Sequence, residues 1–227
     1  MNNAASLSTC VRSTLSALSD QVSVLDAAEA GPRYLRDWGD EVGDPAPVVR
    51  PRTPEALQQV VCKLAALGIP MVPQGGMSGL VGGGAPRSGE VVVSTELMQR
   101  IEHVDTLSAT MRVQAGVSLQ AVQEEAERHG FFYPVDLGSR GSCNIGGNIA
   151  TNAGGNRVLQ YGMTRASILG LEAVLADGTV FSRLGEVVKD NAGMTSSSCS
   201  SVPKARLASS AAPLCGCSRC RANASRH

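Results

Sequence analysis

Two glycine-rich segments hold the residue types best suited to chemistry in this chain. The first is Pro73-Gln74-Gly75-Gly76-Met77-Ser78-Gly79-Leu80-Val81-Gly82-Gly83-Gly84, delivered by an apolar run, Ile69-Pro70-Met71-Val72, that reads as a buried strand. The small or flexible positions from Gly75 to Gly79 can turn several backbone N–H groups toward one anion. That would make a phosphate nest without a cationic side chain. A flexible surface loop is the plainer reading, and the strand that leads into the loop favours phosphate. Two familiar phosphate loops do not fit. A P-loop ends in Gly-Lys-Ser/Thr, and no glycine here is followed by lysine. A Rossmann fingerprint runs directly into a long helix, whereas Ala85-Pro86-Arg87-Ser88-Gly89 breaks one.

The second segment is Pro134-Val135-Asp136-Leu137-Gly138-Ser139, then Ser142-Cys143-Asn144-Ile145-Gly146-Gly147-Asn148-Ile149-Ala150-Thr151-Asn152-Ala153-Gly154-Gly155. Ile145 and Ile149 suit a core, while Gly146, Gly147, Ala150 and Gly154 leave the other side nearly bare of side chains. A flat ligand could lie there. Asn144, Asn148, Thr151 and Asn152 offer neutral donors and acceptors, which suit a polar ring system better than a metal. Tight packing of a short helix explains the same residues, and the segment alone does not decide between the two.

The elements around these segments are legible. Thr53-Pro54-Glu55 supplies an N-cap, a proline at the first helical position and an early carboxylate for a helix that stops at Gly68. Strands are expected at Val48–Pro51, at 69–72 and at 91–95, and as a pair at 101–104 and 110–115. Ser118 opens a helix that Gly130 ends, and residues 168–176 and 179–182 form a hairpin about Asp177-Gly178. Residues 1–47 read as a peripheral helix, with an apolar rhythm through Leu15, Leu18, Val22 and Leu25, and a loop. The mixture of strands, helices and hairpins predicts an α+β fold. His103 and His129 read as surface or structural residues, His129 closing a helix where a cation meets the dipole favourably.

Taken together, the two segments resemble the flavin-binding domain of the vanillyl-alcohol oxidase type, also called the PCMH-type FAD domain. The variant resembled is that of D-2-hydroxyglutarate, D-lactate and glycolate dehydrogenases. Three further blocks carry the likeness over 48–194: Tyr161-Gly162-Met163-Thr164-Arg165, Leu169-Gly170-Leu171-Glu172-Ala173-Val174-Leu175-Ala176-Asp177-Gly178 and Lys189-Asp190-Asn191-Ala192-Gly193. The resemblance implies a domain of two mixed α/β subdomains, with FAD held noncovalently because the first loop has no histidine for attachment. It implies a cofactor site at Gln74, Gly75, Gly76, Met77, Ser78 and Gly79 for the diphosphate. Pro134, Gly138, Ser139, Ser142, Asn144, Ile145, Gly146, Gly147, Asn148, Thr151, Asn152, Gly170 and Leu171 would lie near the flavin. It further implies oxidation of a small 2-hydroxy acid, a base taking the hydroxyl proton while the Cα hydride goes to flavin N5.

The last residues are of another kind. All 20 Asp and Glu lie before Thr195, so residues 1–194 carry −5 while 195–227 carry +5, nine Ser, four of the seven Cys and no aromatic. Cys215-Gly216-Cys217-Ser218-Arg219-Cys220 could be read as a zinc or iron–sulfur site, but its surroundings lack apolar residues to bury one. In the resembling family the corresponding stretch is Asp-Leu-Lys-Gln-Leu-Phe-Val-Gly-Ser-Glu-Gly-Thr-Leu-Gly-Ile. A coding string for that motif, read one nucleotide later, gives residues 195–209 as they stand. The expectation is therefore a frameshift after Met194, a tail without fixed structure, a flavin domain incomplete at its C-terminal end, and an empty strand position in its sheet. The substrate domain that carries catalytic and metal-binding residues in the family would be missing. No catalytic or metal residue is assigned.

Composition sets the remaining limits. An acidic body argues against a nucleic-acid binder, and no run approaches the roughly 20 apolar residues of a membrane span. The N-terminus has no secretory signal. Three body cysteines, Cys10, Cys62 and Cys143, argue against a disulfide scaffold and for a reducing compartment, read here as the cytoplasm. The sequence is silent on oligomeric state. The competing function is a nonenzymatic nucleotide- or phosphate-binding module.

Overall fold

The computed structural model describes residues 2–184, 219–223 and 225–226. Helix α1 (Asn2–Leu15) and a 3-10 turn lead to strand β1 (Val22–Leu25), β2 (Val48–Pro51), helix α2 (Pro54–Ala66), β3 (Met71–Gln74) and β4 (Val91–Ser94). The four strands form one sheet in the order β1-β2-β4-β3, with β1 antiparallel to β2 and the other pairs parallel. Thr53 caps α2 as expected, its Oγ1 accepting from the Ala56 N–H at 3.1 Å, and Pro54 occupies a turn where no donor is needed. One face of α2 (Leu57, Val60, Val61, Leu64) packs with Val11, Leu15, Val91 and Val93 in a closed core. Each such side chain contributes about 1.5–3 kcal/mol on burial.

The N-terminal segment departs from expectation. Val22–Leu25 is a strand in register with β2, Val22 opposite Pro51 and Leu25 opposite Val48, rather than the end of a helix. Nor is it peripheral, because Val11, Leu15, Leu18 and Val22 are buried. The β-branched Val22 and Val24 pair with an otherwise open sheet edge, and that pairing outweighs a helical rhythm. The first sheet thus draws on residues on both sides of position 48.

The second sheet comprises β5 (Ile101–Asp105) and β6 (Thr110–Val113), then β8 (Ile168–Val174) and β9 (Val180–Arg183), with helix α3 (Leu119–Arg128), the short β7 (Phe131–Phe132), α4 (Ile145–Ala150) and α5 (Val158–Tyr161) between the two pairs. Ser118 caps α3 through a 3.2 Å bond from the Ala121 N–H. Its core joins Val113, Leu119, Val122, Tyr133, Ile145, Ile149 and Leu171. Two helix-covered sheets, one partly parallel and one antiparallel, make the α+β fold of two mixed α/β subdomains.

The C-terminal residues bring a second correction. Arg219–Asn223 forms β10, antiparallel to both β6 and β8, which gives the order β5-β6-β10-β8-β9. Ser225–Arg226 (β11) pairs with β7. The expected empty strand position is thus filled, and at these residues the tail is not without structure. In register, Cys220 stands opposite Val113 and Leu171, Ala222 opposite Met111, and Arg219 opposite Glu172. The Lys189–Gly193 block, residues 195–218 and the cysteines at 215 and 217 lie outside the described residues.

Candidate functional site

The fold brings the two glycine-rich segments into contact. A Cβ on Gly76 would stand 1.9 Å from the Ser142 carbonyl oxygen, and one on Gly75 would stand 3.4 Å from Asn144 Oδ1. Gly76 is therefore glycine because another backbone crosses it. The next residue, Met77, carries the left-handed conformation at φ 51°, rare for a long side chain and of the kind that turns successive N–H groups to one side. Around this crossing lies a cavity of about 570 Å³ bordered by Gly76, Ser142, Asn144, Glu96, Gly116 and Ser118. A second, of about 610 Å³, is bordered by Gly76, Met77, Arg33, Arg36, Asp37 and Trp38.

The other expected site residues divide by surroundings. Gln74 is buried, and its amide donates to the Tyr34 and Gly84 carbonyls at 2.7 Å each, so it closes the loop 74–84 on itself. Gly79 takes the Trp38 N–H on its carbonyl at 2.9 Å, and Ser78 lies between it and Met77. Asn144 donates to the Gly116 carbonyl at 2.8 Å, and Ser139 accepts from the Ser142 and Cys143 N–H groups at 2.8 Å each. Ile145 and Leu171 are core residues at 0% and 1% exposure, and Pro134 is also buried. Gly146 rests on Ala115, which a Cβ would meet at 2.8 Å, and Gly170 lies against the Arg183 carbonyl. Asn148 is buried with its amide 3.6 Å from Cys143 Sγ. Thr151 bonds the Gly147 carbonyl, and Asn152, at φ 47°, accepts from the Arg165 N–H at 3.0 Å. Gly138 and Gly147 have nothing within 4 Å of a built Cβ, so these two glycines of the second segment leave open space.

Several bordering residues carry no motif that picks them out. Glu96 accepts from Arg33 and from the Tyr34 hydroxyl, and from Arg50 Nη1 at 3.3 Å. Burial, then the bond to Glu96, pushes the Tyr34 hydroxyl above its ordinary pKa. Arg33 and Tyr34 come from the segment read as a loop. Gly116-Val117-Ser118 follows a strand and opens α3, and that strand–glycine–cap pattern is the one signal by which the sequence could have offered it as a third cavity-lining turn. Among the described residues no group of three His, Cys, Asp or Glu could hold a metal ion.

Residues 45–182 match the family model described as an FAD binding domain, and the chain belongs to the PCMH-type FAD-binding family. Its sequence relatives include D-2-hydroxyglutarate dehydrogenases. The cattle enzyme is 44% identical over 171 residues, 75% of this chain and 31% of its own. The Xanthomonas citri enzyme is 41% identical over 161 residues, 70% of this chain and 34% of its own. The chain thus spans about a third of these relatives' length. Among solved structures, alkyldihydroxyacetonephosphate synthase superposes with a TM-score of 0.71 at 19% identity, over 85% of this chain and 37% of that one. The 6-hydroxy-D-nicotine oxidase of Arthrobacter nicotinovorans gives 0.62 at 23% identity, over 72% and 36%.

FAD is the cofactor of this family, and the chain carries its FAD-binding domain, similar in sequence to that of D-2-hydroxyglutarate dehydrogenases. The cytoplasmic expectation is overturned, because the cattle, zebrafish and rice relatives are named mitochondrial. Few cysteines distinguish a reducing from an oxidising compartment and nothing finer. No helix among the described residues is long and apolar enough to cross a membrane.

Proposed function

We propose that this chain holds FAD noncovalently across the junction of its two glycine-rich segments and, as it stands, does not turn over substrate. The observation that carries the reading is the crossing of Gly76 beneath Ser142 with a cavity of about 570 Å³ around it. The backbone from Gly75 to Gly79 would take the diphosphate, and the open face at Gly138 and Gly147 would take the flavin ring. When bound, the flavin supplies a hydride acceptor for a D-2-hydroxy acid. The chain's own part is positioning: Gln74 locks the loop, and Asn144 ties the second segment to Gly116. Positioning of a substrate Cα against its acceptor is worth roughly 7–11 kcal/mol of barrier, and that positioning would come from the substrate domain of the complete protein.

Two further readings stay proposals: a frameshift after Met194, and a substrate domain in the complete protein that acts on a small 2-hydroxy acid. Purified chain should show visible flavin absorbance, and none after repeated loading would remove the FAD reading. Uptake of ADP without flavin would favour the nucleotide-binding module instead. Restoring the frame after Met194 should give a longer protein that reduces a dye with D-lactate or D-2-hydroxyglutarate. A 227-residue product that already does so at the same rate would contradict the proposed inactivity.

A further inference from the structure

Arg33 borders both cavities, and so does Gly76. Its guanidinium pairs with Glu96 and lies over the Tyr34 ring, 4.9 Å from the centroid, while its side chain remains 64% exposed. Glu96 is nearly buried, at 11%, and is also paired with the more buried Arg50. Arg50 donates in turn to Ser23 at 2.7 Å. The inner pair, Arg50 with Glu96, cancels in charge, so the cluster leaves one net positive charge, carried by Arg33 at the mouth between the cavities. Packing on Tyr34 and pairing with Glu96 hold that charge in place before any ligand arrives, which lowers the ordering cost of using it.

We propose that Arg33 is a positioning residue for the diphosphate of the bound dinucleotide, supplying the cation that the glycine loop lacks. A planar guanidinium with several donors suits phosphate oxygens, and it can face a phosphate while one N–H stays on Glu96. Specificity follows: the site favours phosphorylated flavin over the same ring without phosphate. Arg36, exposed in the second cavity, lacks both anchors. The proposal rests on the FAD reading above.

The experiment measures FAD and riboflavin binding to the full chain, as wild type, Arg33→Ala and Arg33→Lys, at several salt concentrations. Arg33→Ala should weaken FAD at least about tenfold and flatten its salt dependence, with riboflavin unchanged. Arg33→Lys should keep the charge and recover part of the loss. Unchanged FAD affinity in Arg33→Ala, or an equal loss for both flavins, overturns the proposal while the FAD reading stands. Should Arg33→Ala fail to fold, wild type decides: FAD affinity that falls with salt while riboflavin's does not supports the proposal, and parallel responses overturn it. A wild-type chain that takes up no flavin overturns the site reading itself, and this proposal with it.

Discussion

The two glycine-rich segments look alike as strings, yet their glycines answer to different neighbours. In the first, Gly76 yields to a crossing backbone, while Met77, not a glycine, takes the left-handed turn. In the second, Gly146 yields to Ala115 and Gly155 to the Asp136 carbonyl, and Gly138 and Gly147 face nothing. A glycine cluster is thus two populations, one demanded by chain packing and one with open space beside it.

The sharpest way to break this division is Gly76→Val. A Cβ 1.9 Å from the Ser142 oxygen cannot be accommodated without separating the segments. We expect a loss of about 3 kcal/mol or more in thermal unfolding, together with loss of flavin. A variant of wild-type stability that has lost flavin would mean that Gly76 meets ligand rather than chain.

Adjacent residues of α4 give a finer test. Gly146→Ala, with Ala115 at 2.8 Å, should cost about 1–3 kcal/mol. Gly147→Ala, with nothing within 4 Å, should gain up to about 1 kcal/mol from helix propensity yet weaken flavin binding. Equal behaviour of the two in melting and titration would erase the distinction.

The smallest expected effect is at Tyr133, beneath the second segment. Its hydroxyl is buried, with no hydrogen-bond partner among the described residues, and burial raises its pKa. Tyr133→Phe should therefore raise stability by about 1 kcal/mol. The sign also follows with pH. A folded-state pKa raised above the unfolded value near 10.0 gives stability that is full below that pH and lost as pH climbs above it. Unfolding followed above pH 10 should thus show a smaller alkaline loss in the variant than in wild type.

Much of this was legible in the residues. Thr53, Ser118, Gly68 and Gly130 mark helix ends through chemistry that acts within a few positions, so α2 and α3 stand where the sequence puts them. Two motifs 60-odd residues apart could be paired only through the resemblance, and in the structure the two segments cross at Gly76. What stayed hidden depends on distant partners. Val22–Leu25 becomes a strand because β2 offers an edge, and Arg33 reaches the cavity because Glu96 holds it there, 63 positions away. Ile145 and Leu171 show the converse, since a motif can place a residue near a ligand without saying that its side chain faces the core.

The central place of β10 also bears on how quickly the chain can fold. Cys220 must find Val113, more than a hundred residues earlier, before the antiparallel sheet closes. Contacts of such separation are slow to form, because a long loop must be ordered before any pairing rewards it. Until then β6 and β8 each present a bare edge to any strand in solution, so yield on refolding should fall steeply with protein concentration even where the finished molecule is stable.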